Sequence, residues 1–146
     1  MSKIERYCAY QERCEPEVRQ KIKTLKVPEN NVEEIIQYLK EEDFLNENRF
    51  TENFIRGKIN AKQWGKIKIR AHLSQKGIAI SVVNQYLDKV KEIDYQENLQ
   101  KNIQKWIRVH GEIDRENYPK LYRHLLSKGY ESGEISKKLK TFTSKS

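Results

Sequence analysis

Apolar residues recur every three or four positions along most of this chain. Such spacing places them on one side of an α-helix, so each stretch predicts an amphipathic helix with one buried face. Three of the clearest stretches, given at the end of this paragraph, follow one another at regular distances. Each is preceded by further apolar residues that are also three or four positions apart. The pattern therefore indicates a chain built of helices throughout. The three sets are Val32, Ile35, Ile36 and Leu39; Ile80, Val83 and Leu87; and Ile135 and Leu139.

The chain also repeats itself with a period near fifty residues. Residues 69–78 and 121–130 match at an offset of 52, which aligns Gly77 with Gly129. A weaker copy upstream matches at offsets of 51 and 48. A self-similar period of this length is typical of repeat proteins, in which small helical units stack to bury their apolar faces.

The two clear copies each contain a helix that ends at a glycine. Gly77 and Gly129 stand where a left-handed residue closes a helix, an ending that is accompanied by an apolar contact across the turn. Leu73 and Ile78 would make this contact in the second copy. Capping residues predict two helix starts. One is at Asn46, and the other is at Cys14, where Glu17 stands three residues later as in a capping box. Cysteine is a poor N-cap, so the start at Cys14 depends on Glu17 and on Pro16, a residue tolerated in the first turn.

These elements predict an all-α fold of three tandem three-helix repeats, stacked into an elongated, curved array. A helical unit of this size buries its apolar stripe poorly by itself, so neighbouring units should pack against one another. The predicted units are residues 1–45, 46–93 and 94–140, followed by a flexible polar tail at 141–146.

The composition agrees with a helical protein. The 146 residues (17.5 kDa) include only 3 Pro and 6 Gly, 34% are charged, and the mean hydropathy is −0.93. No apolar run approaches the roughly 20 residues that a membrane-spanning helix needs, and the first residues lack the apolar segment of an export signal. We therefore expect a cytoplasmic protein in which Cys8 and Cys14 remain free thiols.

The net charge of +8 is distributed unevenly. Residues 1–45 carry −2, residues 46–93 carry +6 and residues 94–146 carry +4. Residues 53–87 contain no Asp or Glu at all. A surface that serves only solubility mixes both signs, so this acid-free stretch favours a surface that binds a polyanion or an acidic partner. A solvated helix face is the simpler alternative.

Within the acid-free stretch, Lys62, Lys66 and Arg70 are spaced by four residues, which would place them in one stripe along a helix. Each phosphate contact made by Lys or Arg releases counterions, so binding to nucleic acid would weaken steeply with salt. The predicted partner-binding or nucleic-acid-binding residues are Arg56, Lys58, Lys62, Lys66, Lys68, Arg70 and Lys76.

Trp64 and Gly65 stand at the start of this basic helix. Gly65 leaves two interpretations open, because the N–H groups of a helix start bind anions and a glycine also lets two helices approach closely. Trp64 is interpreted as a packing residue rather than a base-stacking platform, since the burial of an aromatic ring is the larger contribution.

Catalytic and cofactor chemistry has little support in the sequence. His72 and His124 occupy one repeat position near a helix C-terminus, where the helix dipole favours them, so a structural role explains both. Cys8, Cys14 and His110 do not supply the four spaced ligands of a zinc site. No glycine-rich phosphate-binding motif occurs. We predict that the protein is not an enzyme and uses no metal or cofactor.

Several motifs resemble the regulatory protein RecX family. The similarity extends over nearly the whole chain, and the three tandem three-helix units of that family agree with the repeat. The motifs of the first unit are Glu12-Arg13, Cys14-x-x-Glu17-Val18 and Leu39-Lys-Glu-Glu-Asp-Phe44. Those of the second are Leu45-Asn-Glu-Asn-Arg-Phe50, then Gly65, Ile69, Leu73 and Lys76-Gly77-Ile78.

The resemblance implies a regulator that binds the RecA recombinase filament on DNA, lies along its groove and modulates, usually inhibits, strand exchange and ATP hydrolysis. It further implies a role in DNA recombination, DNA repair and the SOS response. We expect a monomer that contacts RecA, with single- or double-stranded DNA as a further partner, and no membrane. The residues themselves leave a second hypothesis open, a general nucleic-acid-binding helical repeat protein that grips phosphates without RecA.

Overall fold

The structure is a computed structural model that describes residues 1–143. Within that range the chain forms nine α-helices and no β-strand, which confirms the prediction of an all-α fold. No helix in the described range is both long enough and apolar enough to cross a bilayer. The helices are α1 (Lys3–Tyr10), α2 (Glu15–Thr24), α3 (Val32–Glu41), α4 (Glu47–Gly57), α5 (Lys66–Gln75), α6 (Ile80–Leu87), α7 (Glu92–His110), α8 (Tyr118–Ser127) and α9 (Ser132–Thr143).

Two short segments differ from regular α-helix. A 3₁₀ turn at Glu29–Asn31 leads into α3, and a π-helical turn at Lys58–Lys62 extends α4. The π-helical turn closes at Gln63, which has a left-handed backbone with φ 55°. The widened turn and the left-handed residue together separate α4 from α5.

Polar side chains begin the helices at the positions that the sequence predicts. The Asn46 side chain accepts a hydrogen bond from the Arg49 N–H at 2.9 Å, so Asn46 is the N-cap of α4. Cys14 is the N-cap of α2. There the Glu17 carboxylate accepts from the Cys14 N–H at 3.0 Å, which satisfies a backbone donor at the helix start.

The predicted glycine endings are also confirmed. Gly77 and Gly129 have positive φ angles of 81° and 100°. At the first of them, the Gly77 N–H donates to the Ser74 carbonyl at 3.0 Å and the Ile78 N–H to the Leu73 carbonyl at 3.1 Å, the two bonds of a Schellman motif. The same pair of bonds recurs around Gly129. The repeat therefore preserves the geometry of a helix ending as well as a sequence pattern.

Two apolar cores hold the helices together. The first lies within α1–α3 and the turn after them, and includes Val18, Ile22 and Leu39. The second is shared by α4–α9 and runs from Phe50 to Leu139. Cys14, although it belongs to the first unit, is buried in the shared core. The first unit is thus a largely separate body, and Cys14 at the start of α2 makes its apolar contact with the shared core.

The accessible surface of the molecule supports a stacked rather than a spherical arrangement. It measures 9646 Å², whereas a compact protein of this mass exposes about 7,900 Å². An excess of about a fifth is what a row of small units leaves exposed.

The helix bounds refine the predicted limits of the units. α7 begins at Glu92, two residues before the predicted start of the third unit. α9 continues to Thr143, so residues 141–143 are helical and do not belong to a flexible tail. The rest of the predicted tail, residues 144–146, lies outside the described residues. The division into units at 1–45, 46–93 and 94–140 remains a prediction.

Candidate functional site

The basic residues do not form the single stripe that their spacing predicts. Lys62 is the last residue of the π-helical turn, whereas Lys66 and Arg70 lie on α5. Between them the Trp64 N–H donates to the Lys58 carbonyl at 3.0 Å, which folds the chain back before α5 begins. The prediction of a continuous stripe from residue 62 to residue 70 is therefore wrong, because the helix is interrupted.

The basic residues of α5 occupy two opposite flanks of that helix, on either side of its buried face. On one flank, Lys66 Nζ lies 4.8 Å from the ring centroid of Tyr95, and Arg70 Nε donates to Asn84 Oδ1 at 3.1 Å. On the other flank, Lys68 Nζ lies 4.4 Å from the ring centroid of Trp64. The two flanks face different neighbours, so they do not make one surface.

Three aromatic rings form the base of the second flank. Phe54 and Trp64 meet edge to face, with ring centroids 6.4 Å apart. The His72 ring lies 4.6 Å from that of Trp64. Trp64 is half-buried and packs against the shared core, as predicted for a packing residue. The rings come from α4, from the loop before α5 and from α5 itself, so only the folded chain brings them together.

Three lysines extend over these rings. Lys58 Nζ lies 4.7 Å from the Trp64 centroid, close to Lys68 on the same ring. Lys76 Nζ lies 5.9 Å from the Phe54 centroid. These distances are within the range of cation–π attraction, which orients an ammonium group while its outer side stays in water. We call this cluster the Trp64 surface, defined by Phe54, Lys58, Trp64, Lys68, His72 and Lys76.

The local potential of the Trp64 surface is positive. The pKa of His72 is lowered below its usual value, first by burial and then by the charges of Lys68, Lys58 and Lys76. Every charged group that perturbs this imidazole is a lysine. His72 is therefore mainly neutral near pH 7, and an anion placed on the surface would meet three ammonium groups.

The positive surface continues into the third unit. Burial lowers the pKa of Lys128, and the charges of Lys68, Lys105 and Lys62 lower it further. Lys128 Nζ also donates to the Lys62 carbonyl at 3.2 Å. The charge totals of the sequence did not single out Lys105 or Lys128. The repeat contained a signal for one of them, because Lys128 aligns with Lys76 at the offset of 52.

Arg56 lies apart from this surface. Its guanidinium forms an ion pair with Glu52, one turn earlier in α4, at 2.9 Å. It lines a shallow depression that also includes Asp94. Of the seven predicted residues, the structure brings Lys58, Lys68 and Lys76 together and places Lys62 beside them. Arg56, Lys66 and Arg70 face other parts of the molecule.

The start of α5 settles the two interpretations of Gly65. The Gly65 N–H donates to the Lys128 carbonyl at 2.7 Å, and the Ile67 N–H donates to the Gly129 carbonyl at 3.0 Å. The N–H between them, that of Lys66, donates to the Tyr95 hydroxyl at 2.9 Å. These donors are already used, so Gly65 serves the close approach of two backbones and the interpretation as an anion site is wrong.

The residues that the structure describes contain no cluster of potential metal ligands. Within residues 1–143, no three His, Cys, Asp or Glu side chains come together in a group that could hold a metal ion. His124 lies exposed in the last turn of α8. The structural role of His72 and His124 stays a prediction.

Comparisons with known proteins place this arrangement in a family. A family model described as RecX, second three-helix domain, matches residues 46–87, the range that holds the whole Trp64 surface. A regulatory protein RecX of Clostridium beijerinckii is 32% identical over 132 residues, which cover 86% of this chain and 60% of that protein. The chain belongs to the RecX family.

Other RecX proteins agree in sequence and in fold. The regulatory protein RecX of Oceanobacillus iheyensis is 28% identical over 131 residues, which cover 89% of this chain and 48% of that relative. The crystal structure of RecX from Lactobacillus salivarius superposes with a TM-score of 0.81 at 26% identity, covering 95% of this chain and 91% of that one. The chain spans about half to three-fifths of the length of the curated RecX relatives that it matches.

Proposed function

We propose that this RecX-family chain is a non-enzymatic regulator that binds the RecA recombinase filament on DNA and inhibits its recombinase and ATPase activities. It would act as a monomer in the cytoplasm, in recombination, repair and the SOS response. Membership of the RecX family supports a regulatory role, since the relatives are named regulatory proteins. A filament of recombinase on DNA is a long polyanionic partner, which suits a row of stacked units better than it suits a pocket.

The observation that carries the proposal is the Trp64 surface. Lys58 from the π-helical turn converges there with Lys68 and Lys76 from α5 and its C-cap, in a stretch of chain without a carboxylate. Ammonium groups held on aromatic rings lose little conformational freedom when they meet a phosphate or a carboxylate. Such a surface favours both the rate and the orientation of binding to a polyanion.

The same surface also supports a second candidate function, nucleic-acid binding without a recombinase. Aromatic rings interleaved with lysines are typical of proteins that hold nucleic-acid strands through phosphate contacts and base stacking. Under this alternative the Trp64 surface would bind DNA alone as tightly as it binds a RecA–DNA filament.

The test compares a surface variant with a charge-matched control. The surface variant combines Lys58→Gln, Lys68→Gln and Lys76→Gln. The control combines Lys23→Gln, Lys89→Gln and Lys91→Gln, three exposed lysines outside the Trp64 surface. Glutamine keeps most of the aliphatic stem and removes the charge. Circular dichroism melts would establish that both variants are folded, and each would then be titrated into RecA-driven ATP hydrolysis and strand exchange.

We expect the wild type and the control to inhibit both reactions at similar concentrations, and the surface variant to need about tenfold more protein. Equal inhibition by the surface variant and the control would overturn the assignment of the Trp64 surface. Tight DNA binding without any effect on RecA would overturn the regulatory proposal in favour of the second candidate function.

A further inference from the structure

The first unit carries a second cluster of cations around aromatic rings, which its overall charge conceals. Lys3, Arg6, Tyr7 and Tyr10 are spaced i, i+3, i+4 and i+7 and therefore share one face of α1. A shallow depression of about 400 Å³ is lined by these four residues together with Arg13, Lys21 and Leu25. We call it the Tyr7 surface, defined by Lys3, Arg6, Tyr7, Tyr10, Arg13 and Lys21.

Two cations of this surface are held in place by Tyr7, and a third is anchored on the N-terminal backbone. Arg13 Cζ lies 3.7 Å from the Tyr7 ring centroid, and Arg13 Nε donates to the Tyr7 carbonyl at 3.0 Å. Lys21 Nζ lies 5.4 Å from the same centroid. Arg6 is anchored through its Nε, which donates to the Met1 carbonyl at 3.1 Å. Both arginines thus use one nitrogen for positioning.

The remaining nitrogens of these arginines are available for a ligand. Among the described residues, the terminal guanidinium nitrogens of Arg6 and Arg13 have neither a hydrogen-bond acceptor nor an ion-pair partner. With Nε used, each guanidinium keeps one free edge, formed by its two terminal nitrogens, and two parallel N–H groups of this kind match two oxygens of a phosphate. The geometry therefore leaves two preoriented phosphate donors in a depression that the half-buried Lys21 also lines.

Three carboxylates of the first unit that lie close in sequence to the Tyr7 surface have partners elsewhere. Glu12 forms an ion pair with Arg49 at 2.6 Å, and Glu15 forms one with Lys40 at 2.9 Å. Glu5 accepts from the Tyr38 hydroxyl at 2.8 Å. Among the described residues that line the Tyr7 surface, none is Asp or Glu. The local field is positive in a unit that is acidic on average.

A cleft connects the Tyr7 surface with the Trp64 surface. It lies between α2 and α5, has a volume of about 530 Å³, and is lined by Tyr7 and Lys21 on one side and by Gln75 and Lys76 on the other. Lys76 belongs to the Trp64 surface. Glu17 also lines this cleft, where its carboxylate accepts from the Cys14 N–H at the start of α2. A ligand chain could pass from one surface to the other through this opening.

We propose that the Tyr7 surface binds the backbone of a single-stranded nucleic acid directly, without a recombinase. Arginine forks and a lysine contact the phosphates, and Tyr10, which is 83% exposed, provides a face on which an unpaired base stacks. A base inside a duplex has no free face, so the exposed tyrosine selects a single strand. The strand then continues through the cleft to the Trp64 surface. This inference does not depend on the RecA proposal.

The test measures direct binding of an oligothymidylate of about 20 nucleotides, longer than a typical single-strand site, by fluorescence anisotropy with no recombinase present. The charge variant combines Arg6→Gln and Lys21→Gln. Its control combines Lys23→Gln and Lys26→Gln, two exposed lysines of the same unit that lie outside the Tyr7 surface. A third variant, Tyr10→Ala, removes only the proposed stacking face. Inorganic polyphosphate and polyglutamate serve as further ligands.

We expect the charge variant to bind the oligonucleotide about tenfold more weakly than its control. The slope of log K against log salt should become shallower by about 1.4, since each lost contact to a single strand removes about 0.7. Tyr10→Ala should weaken binding of the oligonucleotide about tenfold and leave binding of polyphosphate unchanged.

Two results would overturn the inference. If the charge variant binds the oligonucleotide as its control does, the Tyr7 surface does not contact the strand. If the variants lose affinity for polyglutamate but not for the oligonucleotide, the surface receives an acidic protein. Because no recombinase is present, either result leaves the RecA proposal untouched, and failure of that proposal leaves this one standing.

Discussion

Gly65 lies where the backbone before α5 meets the backbone after α8. A Cβ atom at this position would lie 2.1 Å from the carbonyl carbon of Gly129 and 2.2 Å from its oxygen. Both neighbours are backbone atoms that already take part in the hydrogen bonds between α5 and the end of α8. In the repeat, Cys14 of the first unit aligns with Gly65, and Gly77 aligns with Gly129. No backbone hydrogen bond joins the segment around Cys14 to the segment around Gly77 in the described range.

We expect Gly65→Ala to destabilise the protein by more than about 2 kcal/mol, because the added methyl group displaces backbone rather than a mobile side chain. Urea unfolding monitored by circular dichroism would measure the change. Gly57→Ala is the control, since Gly57 is helical and nothing lies within 4 Å of its added Cβ. That control should gain up to about 1 kcal/mol. Equal stability of the Gly65→Ala variant and the wild type would contradict the close approach.

The π-helical turn is the element that decides where the basic side chains lie. Its irregular backbone leaves carbonyl groups without helical partners, and α7 supplies donors for them. Asn98 Nδ2 donates to the Ile59 carbonyl at 2.9 Å, and Asn102 Nδ2 donates to the Gln63 carbonyl at 3.1 Å. Both asparagines are buried. Two buried asparagines of α7 thus stabilise the irregular segment between α4 and α5.

The start of α5 depends on a second polar contact from α7. The Tyr95 hydroxyl, in a residue that is 1% exposed, accepts from the Lys66 N–H and donates to Glu131 Oε2 at 3.2 Å. Burial raises the pKa of Tyr95, so its hydroxyl stays protonated at any ordinary pH. One side chain therefore joins the start of α5 to the residue that precedes α9.

We expect Tyr95→Phe to cost about 1–3 kcal/mol, because the shape is kept while the Lys66 N–H loses its acceptor inside the protein. Tyr86→Phe is the matched control, since the structure gives the half-buried Tyr86 hydroxyl no hydrogen-bond partner in the described range. Thermal and urea unfolding of both variants would check this. A Tyr95→Phe variant as stable as the control would show that the contact contributes nothing.

On the scale of the whole molecule, the first unit has its own core and is joined to the rest by a small number of contacts. Arg49, at the start of α4, forms ion pairs with Glu12 at 2.6 Å and with Asp43 at 2.8 Å, and both partners belong to the first unit. Arg49 lies in one of the motifs that resemble RecX. Its position indicates that this part of the motif serves the joining of two units rather than contact with a partner.

We expect Arg49→Ala to loosen the first unit while the shared core stays intact. Amide hydrogen exchange should become several-fold faster around the start of α2, consistent with a loss of about 1 kcal/mol for a partly exposed ion-pair network. Arg56→Ala, whose ion pair lies within α4, should leave exchange at α2 unchanged. Unchanged exchange in the Arg49→Ala variant would mean that the apolar contacts of Cys14 alone hold the two units together.

Local features of the fold could be predicted from the sequence because neighbouring residues determine them. The helix start at Asn46 and the endings at Gly77 and Gly129 involve bonds that span only a few residues. The stripe that included Lys62 was wrong because the helix is broken by a turn that distant asparagines stabilise. The Tyr7 surface was missed because a net charge counts residues and does not record which carboxylates are paired elsewhere.

The sequence by itself determined an all-helical chain of repeated units, the positions of its glycine endings, its RecX resemblance and the location of its excess positive charge. These follow from periodicity, local backbone preferences and composition. Only the tertiary structure decided which lysines share a surface, that Gly65 permits a close approach of two backbones, and which part of the first unit carries positive charge. Each of these depends on contacts between segments far apart in the chain, and such contacts are set by packing rather than by sequence spacing.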